Sequence, residues 1–336
     1  MATLTHPAVE LIYNGRDVTA DLAPYLISIT YVDRLTGEAD SLDVELASPS
    51  ALKTRWLDDW YPDKGVTLSA RFGYRANLAG QTGEMEVDEI EIESPPLTVR
   101  IRALSAGITR RVRTRLGRVY EGRRLSQIVD AVAQRLGAKR AGKIEPDPML
   151  DRVTQYQEGD WAFVRRLLAE YGYTVKLTDN NKTLAVARTS HLAEQDDVAV
   201  LTPALVTSWR YRDKVADVPR KVKVKHHDPQ AAVVYERDEA TGEVESADTR
   251  RLHRRARSAE DAAAQAQGEA ERDALDKTAL EVTLPGNPLL VAGGIVRLNG
   301  FQRLDGRYLI TEARHAISRS GYTTDIQTRR LHDANT

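Results

Sequence analysis

The chain has 336 residues, 41% hydrophobic and 29% charged, with 48 Lys and Arg against 49 Asp and Glu. That balance suits two or three ordinary globular domains and argues against a disordered chain, a polybasic nucleic-acid binder or an acidic solvating tail. Cysteine is absent, which excludes thiol nucleophiles, disulfides and Cys-based zinc sites and suits a reducing compartment.

Residues 1–15 lack the basic and apolar regions of a signal peptide, and no apolar run approaches the ~20 residues of a membrane helix. Synthesis and assembly in the cytoplasm are therefore expected. The first hundred residues predict short strands: Tyr25–Tyr31, rich in β-branched and aromatic residues, and Ser41–Leu46, Gly65–Tyr74, Met85–Ile92 and Leu97–Arg102, which alternate polar and apolar. Pro95-Pro96 marks a turn. Strands of this length with Gly and Pro between them predict a small barrel or sandwich.

The middle of the chain predicts an α+β unit. Leu125–Leu136 places Ile128, Val129, Val132 and Leu136 on one helical face, with Gly137 as the terminating residue. A second helix over Asp160–Tyr171 is expected to bury Trp161, Val164, Leu167, Leu168 and Tyr171. Trp161, Phe163, Val164 and Leu167 are expected to anchor the unit. A hairpin follows, Tyr173–Leu177 and Thr183–Val186 around Asp179-Asn180-Asn181. After about residue 200 strands return, around Ile295, Tyr308–Ala313 and Thr323–Thr328. One long Ala-rich helix interrupts them, with Ser258 as N-cap and Asp261 three residues on. Pro285-Gly286-Asn287-Pro288 is a turn.

Comparison of the chain with itself reveals a repeat. A shift of 180 positions pairs Ser28 with Ser208, Tyr31 with Tyr211, Asp33 with Asp213, Leu42 with Val222, Val44 with Val224 and Pro49 with Pro229. Further on, Gly65-Val66 matches Gly294-Ile295, and Gly83, Val87 and Glu89 match Gly306, Ile310 and Glu312. Ile92, Thr98 and Ile101 match Ile317, Thr323 and Ile326. The changing offset places an insertion in the second copy, between Pro229 and Gly294. The expected architecture is β-rich α+β: a first β domain at 1–108, an α+β insert at 109–195 and a second, related β domain at 196–336 with a helical insertion at about 231–290.

No residue pattern calls for catalysis, a metal or a cofactor. Gly137–Lys143 spaces its glycines and lysine like a phosphate-binding loop. Ile144, however, stands where a hydroxyl should ligate Mg²⁺, the segment follows a helix rather than a strand, and Pro146 and Pro148 block the helix that should follow. His226 and His227 are adjacent on a predicted strand and point to opposite faces. Glu84, Glu86, Asp88 and Glu91 read as a solvated strand face. From Arg110 to Arg124 there are seven arginines against one acid, Glu121. They fit an acidic partner or passing DNA, or a strand edge kept soluble by charge. Tyr120–Ile128 is similar to the opening of a LysM peptidoglycan-binding module, but Arg123-Arg124 replace its Asp-Thr.

Gln155-Tyr156-Gln157-Glu158-Gly159-Asp160-Trp161-Ala162-Phe163-Val164-Arg165-Arg166-Leu167 resembles the motif Q-x-x-E-[ST]-D-x-x-F-[LI]-x-R-L of the phage late control protein D family. These are baseplate hub proteins of contractile tails, related to the base of VgrG spikes. Other similar pieces are Gly37–Leu42, Pro62–Gly65 with Gly73-Tyr74, Val87–Ile90, Leu284–Pro288, Gly306–Ile310 and Arg314-His315. The resemblance implies tube-protein-like β-barrels in both outer domains and a homotrimer whose six barrels form a pseudo-hexameric ring. That ring would join the sixfold tail tube protein to a threefold central spike protein, among other baseplate proteins. DNA or a tape-measure protein would pass through its channel. The resemblance further implies a non-enzymatic protein of the virion tail. The competing class is a tail-tip protein that binds or cleaves peptidoglycan.

Overall fold

The protein is described by a computed structural model that covers residues 6–35, 39–47, 65–105, 114–214, 221–228, 233–240, 249–252 and 258–331; of the three short segments between 221 and 252 only the backbone and Val222 are described. Gly37-Glu38, Pro49, Pro62-Asp63-Lys64, Arg110, Arg111, Arg113 and Pro229 lie outside these residues. The first stretch comprises β1 (Pro7–Tyr13), β2 (Arg16–Asp17), the short helix α1 (Thr19–Leu22), β3 (Leu26–Arg34), β4 (Ser41–Ala47), β5 (Thr67–Tyr74), β6 (Asn77–Gln81), β7 (Met85–Glu93) and β8 (Thr98–Leu104). Period-2 alternation does here what the sequence implies. Leu42, Val44 and Leu46 of β4 are buried while Asp43 and Glu45 stay partly exposed. Their inward residues meet Leu11, Ile29, Leu68, Phe72, Met85 and Ile101 in one core.

The middle stretch holds β9 (Leu116–Arg124), α2 (Leu125–Leu136), β10 (Lys139–Ala141), β11 (Met149–Glu158), α3 (Asp160–Glu170), β12 (Tyr173–Thr178), β13 (Thr183–Arg188) and α4 (Thr189–Ala193). In α2 the residues at helical spacing, Leu125, Ile128, Val129 and Val132, are buried. Gly137 ends the helix at φ 79°, a left-handed conformation that glycine adopts without a Cβ penalty. Asp179, Asn180 and Asn181 all have positive φ, so the hairpin turns where short polar side chains tolerate that conformation. One expectation fails in α3. Trp161 is only partly buried at the rim, whereas Phe163 is fully buried and stacks on Tyr120 at 5.5 Å between ring centres. Arg165 covers the face of Trp161 at 5.8 Å, so the indole keeps partial exposure under a cation.

The last stretch comprises β14 (Asp197–Leu201), β15 (Ser208–Asp213), β16 (Lys221–Asp228), β17 (Val233–Ala240), β18 (Thr249–Leu252), α5 (Ala259–Asp276), β19 (Thr278–Pro285), β20 (Ile295–Leu298), β21 (Gly306–Ser318) and β22 (Gly321–Arg330). Ser258 caps α5, its Oγ accepting from the Asp261 N–H at 3.1 Å. The helix packs on the middle unit, where Tyr171 donates to Asp261 at 3.0 Å and Ala264 joins the core.

One fourteen-stranded sheet contains most of the first and last stretches. Its pairing order occurs twice. Strands β1, β5, β7, β8, β4 and β3 pair in succession, and so do β14, β20, β21, β22, β19 and β15. Registers agree too. The chain of partners Tyr31–Leu42–Ala103–Val87 has its counterpart in Tyr211–Leu280–Thr328–Ile310. Both β7–β8 and β21–β22 carry a register shift, between Val87 and Glu89 in one and between Ile310 and Glu312 in the other. A bulge at the same step is hard to reach by chance strand propensity. Only β1 and β14 differ in sense, β1 running antiparallel to β5 and β14 parallel to β20.

These registers correct part of the residue matching. The counterpart of β4 is β19, so Leu42 and Val44 correspond to Leu280 and Val282, not to Val222 and Val224. β16 instead forms a separate three-stranded sheet with β17 and β18. Ile92 corresponds to His315 rather than Ile317, and Val66 to Gly294, because Val66 and Gly294 each accept from the strand residue at the bulge, Val87 and Ile310, at 2.9 Å. Among the described residues, β16, β17, β18 and α5 lie outside the large sheet; the expected insertion at about 231–290 also spans β19, which lies within that sheet.

Candidate assembly joint

The two halves of the large sheet are sewn together by one strand pair, β21 on β3, with Glu312 opposite Arg34 and Ser318 opposite Ser28. Three features build this joint. At its outer end Arg34 donates to Glu312 at 3.1 Å. At its centre His315 is fully buried, its ring 4.9 Å from that of Phe72 and stacked at 6.1 Å on Tyr31. The imidazole sits 2.8 Å from the Tyr322 hydroxyl through Nδ1 and 3.0 Å from the Leu290 carbonyl through Nε2. A neutral ring suits that pair of partners, with Nε2–H donating to the carbonyl and Nδ1 accepting. At the inner end Gly286 approaches the Tyr322 ring so closely that a Cβ would lie 2.1 Å from it, and its carbonyl accepts from Tyr74 at 2.8 Å. The Pro285–Pro288 turn is therefore a clasp between the halves.

Burial holds the His315 pKa down at about 4. A folded-state pKa below the ordinary 6.5 means that the neutral ring contributes stability fully above about pH 6.5, and that this contribution is lost as pH falls through about 4. Urea unfolding of the native chain should accordingly lose about 3 kcal/mol more than that of His315→Gln between pH 6.5 and 4. Parallel pH profiles for the two proteins would contradict this placement.

Behind the joint the middle unit is tied in by a buried ionic cluster. Lys176 of β12 reaches across to Asp33 of β3 and to Asp40, the latter at 3.4 Å. Asp33 and Asp40 are 3% and 7% exposed. Asp33 also accepts from the Ala292 N–H at 2.9 Å, which brings the second half of the chain to the same carboxylate. Asp40 accepts from the Arg34 N–H at 2.8 Å. Burial and the neighbouring Asp33 push the Asp40 pKa up to about 6 against the pull of Lys176. Desolvation alone would lower Lys176, but the two carboxylates outweigh it and hold it above its ordinary value. The Asp33 carboxylate thus connects three parts of the chain. A second tie is the hairpin tip, where the Asn180 side chain accepts from the Glu84 N–H at 3.0 Å.

The Gln155–Leu167 motif is a scaffold of the middle unit. Gln155 is fully buried at a register shift of β11 on β9 and donates to the Glu158 carbonyl and to Asp160, both at 3.0 Å. Asp160 accepts two bonds from Arg135 at 2.7 and 2.9 Å, and Arg135 reaches the Tyr120 hydroxyl at 2.7 Å. Arg166 holds Glu158 at 2.6 Å. The letters of the motif are therefore polar locks around the entry to α3, with Phe163 as the apolar plug.

The other candidate stretches fall elsewhere. At Gly137–Lys143 the Ala138 N–H donates to Ala133 and the Lys139 N–H to Lys182, Arg140 pairs with Asp130, and Lys143 pairs with Glu145, so the segment is a helix end followed by a strand. Tyr120–Ile128 runs from β9 into α2 with Leu125 and Ile128 buried in the core. Arg115, Arg118, Arg123 and Arg124 are exposed, and all but Arg115 lie on the β9–β11 ribbon. His226 and His227 oppose Tyr235 and Val234 in β17, and their side chains are outside the described residues. Glu91 makes an exposed pair with Arg100 at 3.4 Å. Among the described residues no group of three or more His, Asp or Glu side chains could hold a metal ion, and no helix is long and apolar enough to cross a membrane.

Comparison with known proteins returns one consistent kind of relative. The family described as "Phage tail baseplate hub (GPD)" matches residues 40–321. The probable baseplate hub protein of Escherichia phage 186 is 25% identical over 365 aligned positions, covering 96% of this chain and 92% of that one. Among solved structures, a 43 kDa tail protein of prophage MuSo2 from Shewanella oneidensis superposes with a TM-score of 0.71 at 17% identity, over 96% of this chain and 98% of that one. An E. coli component of the type VI secretion system gives 0.59 at 13% identity, over 92% and 74% respectively. These two likenesses concern the fold.

Proposed function

The chain belongs to the phage tail baseplate hub (GPD) family, and from that membership we propose that three copies form a ring of six related barrels at the junction between tail tube and spike. Its place is in the virion tail and its role is structural. In this reading residues 1–108 and 196–336 each supply one tube-like barrel, and 109–195 is the insert. Two similar barrels per chain give a trimer approximate sixfold symmetry on the tube side while the insert and residues 221–276 keep the threefold symmetry of a spike. The observation that carries the reading is the twice-occurring pairing order with its shared bulge. A ring joint needs two quasi-equivalent building units, which a single catalytic domain does not. The buried charges of the joint are engaged with one another and with backbone groups, which suits a load-carrying part. We read the chain as non-enzymatic, assembled in the host cytoplasm, with tube, spike and further baseplate proteins as partners and DNA or a tape-measure protein in the channel.

The test is to purify the full chain, alone and with the tube and spike proteins of its own particle. Class averages of a threefold ring with six similar lobes, and co-purification with both proteins, are expected. A stable monomer that joins neither would overturn the reading.

A further inference from the structure

The strand pair that joins the two halves within one chain has a counterpart with no partner. In the doubled pairing order β21 corresponds to β7 and β3 to β15. Along the edge where β3 receives β21, β15 receives nothing among the described residues, since its one neighbour is β19. Likewise β7 pairs with β5 only at Met85 and Glu86. Beyond them, over Glu89–Glu93, β8 on the other side is its sole described neighbour. Six strands lie between β15 and β7 in the sheet path.

Carrying the register of β21 on β3 over to these strands gives a definite pairing. Glu312 opposite Arg34 becomes Glu89 opposite Lys214, and His315 opposite Tyr31 becomes Ile92 opposite Tyr211. Glu91 then faces Arg212 and Glu93 faces Arg210. One edge carries three carboxylates on one face and the other edge three cations on the matching face, with Glu91 also paired to Arg100 and Arg210 to Glu281 within the chain, and none of these charges entered the choice of register. The outermost pair takes the place of the Arg34–Glu312 salt bridge. Both edges also hold large apolar side chains in water, Ile92 at 40% exposure and Trp209 at 51%, and open edges of this kind are a liability unless something covers them.

We infer that β15 of one copy adds antiparallel to β7 of the next copy, in this register, and that a second copy of this chain is the partner these edges fit. The inference rests on the ring reading and supplies its missing joint. Three joints within chains alternate with three between chains, and every half meets its neighbours in the same way.

Because the chain has no cysteine, an introduced pair reports the register without background. Directly opposed residues of antiparallel strands have Cα atoms about 4.5–5.5 Å apart, within the range a disulfide spans. Glu91→Cys with Arg212→Cys should, on mild oxidation, give linked dimers and trimers on non-reducing gels. Glu91→Cys with Asp213→Cys should give none, because neighbouring residues on a strand point to opposite faces. Independently, Glu89→Lys with Glu91→Lys should abolish the oligomer seen by light scattering, and adding Arg212→Glu with Lys214→Glu should restore it. A trimer whose 91/212 pair stays unlinked, links in the 91/213 control, or reversal without restoration would each overturn the register and leave the ring reading standing. A native chain that stays monomeric at every concentration would overturn both.

Discussion

Lys176→Met is expected to lose about 3–5 kcal/mol of stability at neutral pH, because it strands Asp33 and Asp40 in a buried site without their cation. The loss should shrink with acid, and the sign follows from Asp40. Its folded-state pKa stands at about 6, above the ordinary 3.8, so the protonated carboxyl contributes stability that is fully present below about pH 3.8 and gone above about 6. In the variant the pull of Lys176 is gone, so Asp40 takes up its proton already above about pH 6, and acidification toward that value relieves the uncompensated charge. Urea titrations of both proteins at pH 7 and pH 5 would measure this. A deficit of no more than about 0.5 kcal/mol at pH 7, the scale of an ordinary surface substitution, would sink the idea that the cluster ties the middle unit to the joint. The double variant Lys176→Met with Asp33→Asn should recover part of the loss, since it removes one stranded charge.

Phe163→Ala should cost about 3–5 kcal/mol. The ring is fully buried among Val164, Leu167 and Leu168 of its own helix and the residues of α2, and it is stacked on Tyr120, so its removal leaves a cavity lined by rigid elements. Trp161→Ala should cost clearly less, because its indole sits at the rim of the same core. Thermal unfolding of the two variants side by side measures the order. Equal losses, or a larger loss at Trp161, would show that the rim and the centre of this core have been exchanged. Loss at Phe163 should also loosen the hairpin tip at Asn180 and its bond to Glu84, since β12 and β13 pack on that core.

Trp161 was misplaced by reading the helical face alone because Trp161, Val164 and Leu168 recur at the spacing of one stripe while Phe163 falls at its margin. Periodicity says which side of α3 is apolar, and the width of the stripe admits either aromatic residue. What decides between them is the position of Tyr120, which arrives from β9 and offers a face to Phe163. The Gln155–Arg166 motif was legible as a signature, but its work as a set of locks was not, because Arg135 comes from another helix. His315 stood out only within the Arg314-His315 piece of the family resemblance, and nothing local marked it as buried. Its burial depends on Phe72 and Tyr31, both from the first half of the chain.

By itself the sequence determined the strands β3, β4, β5, β7 and β8, the helices α2, α3 and α5, the caps at Gly137 and Ser258, the hairpin at Asp179–Asn181 and two similar strand series. All of these are set within a few residues by alternation, helical spacing and turn chemistry. Only the tertiary structure decided which strands are equivalent. Lys221–Val224 alternates as well as Ser41–Val44 does, yet β4 lies in the large sheet and β16 outside it, with β19 in the place that alternation had given to β16. The same holds for Lys176 and Asp33, 143 residues apart in sequence and paired in space. Alternation fixes that a segment is a strand and which face is apolar, but it is identical for every half-buried strand. The choice of neighbour is made by the burial of the whole sheet and by charges that meet only once it has formed.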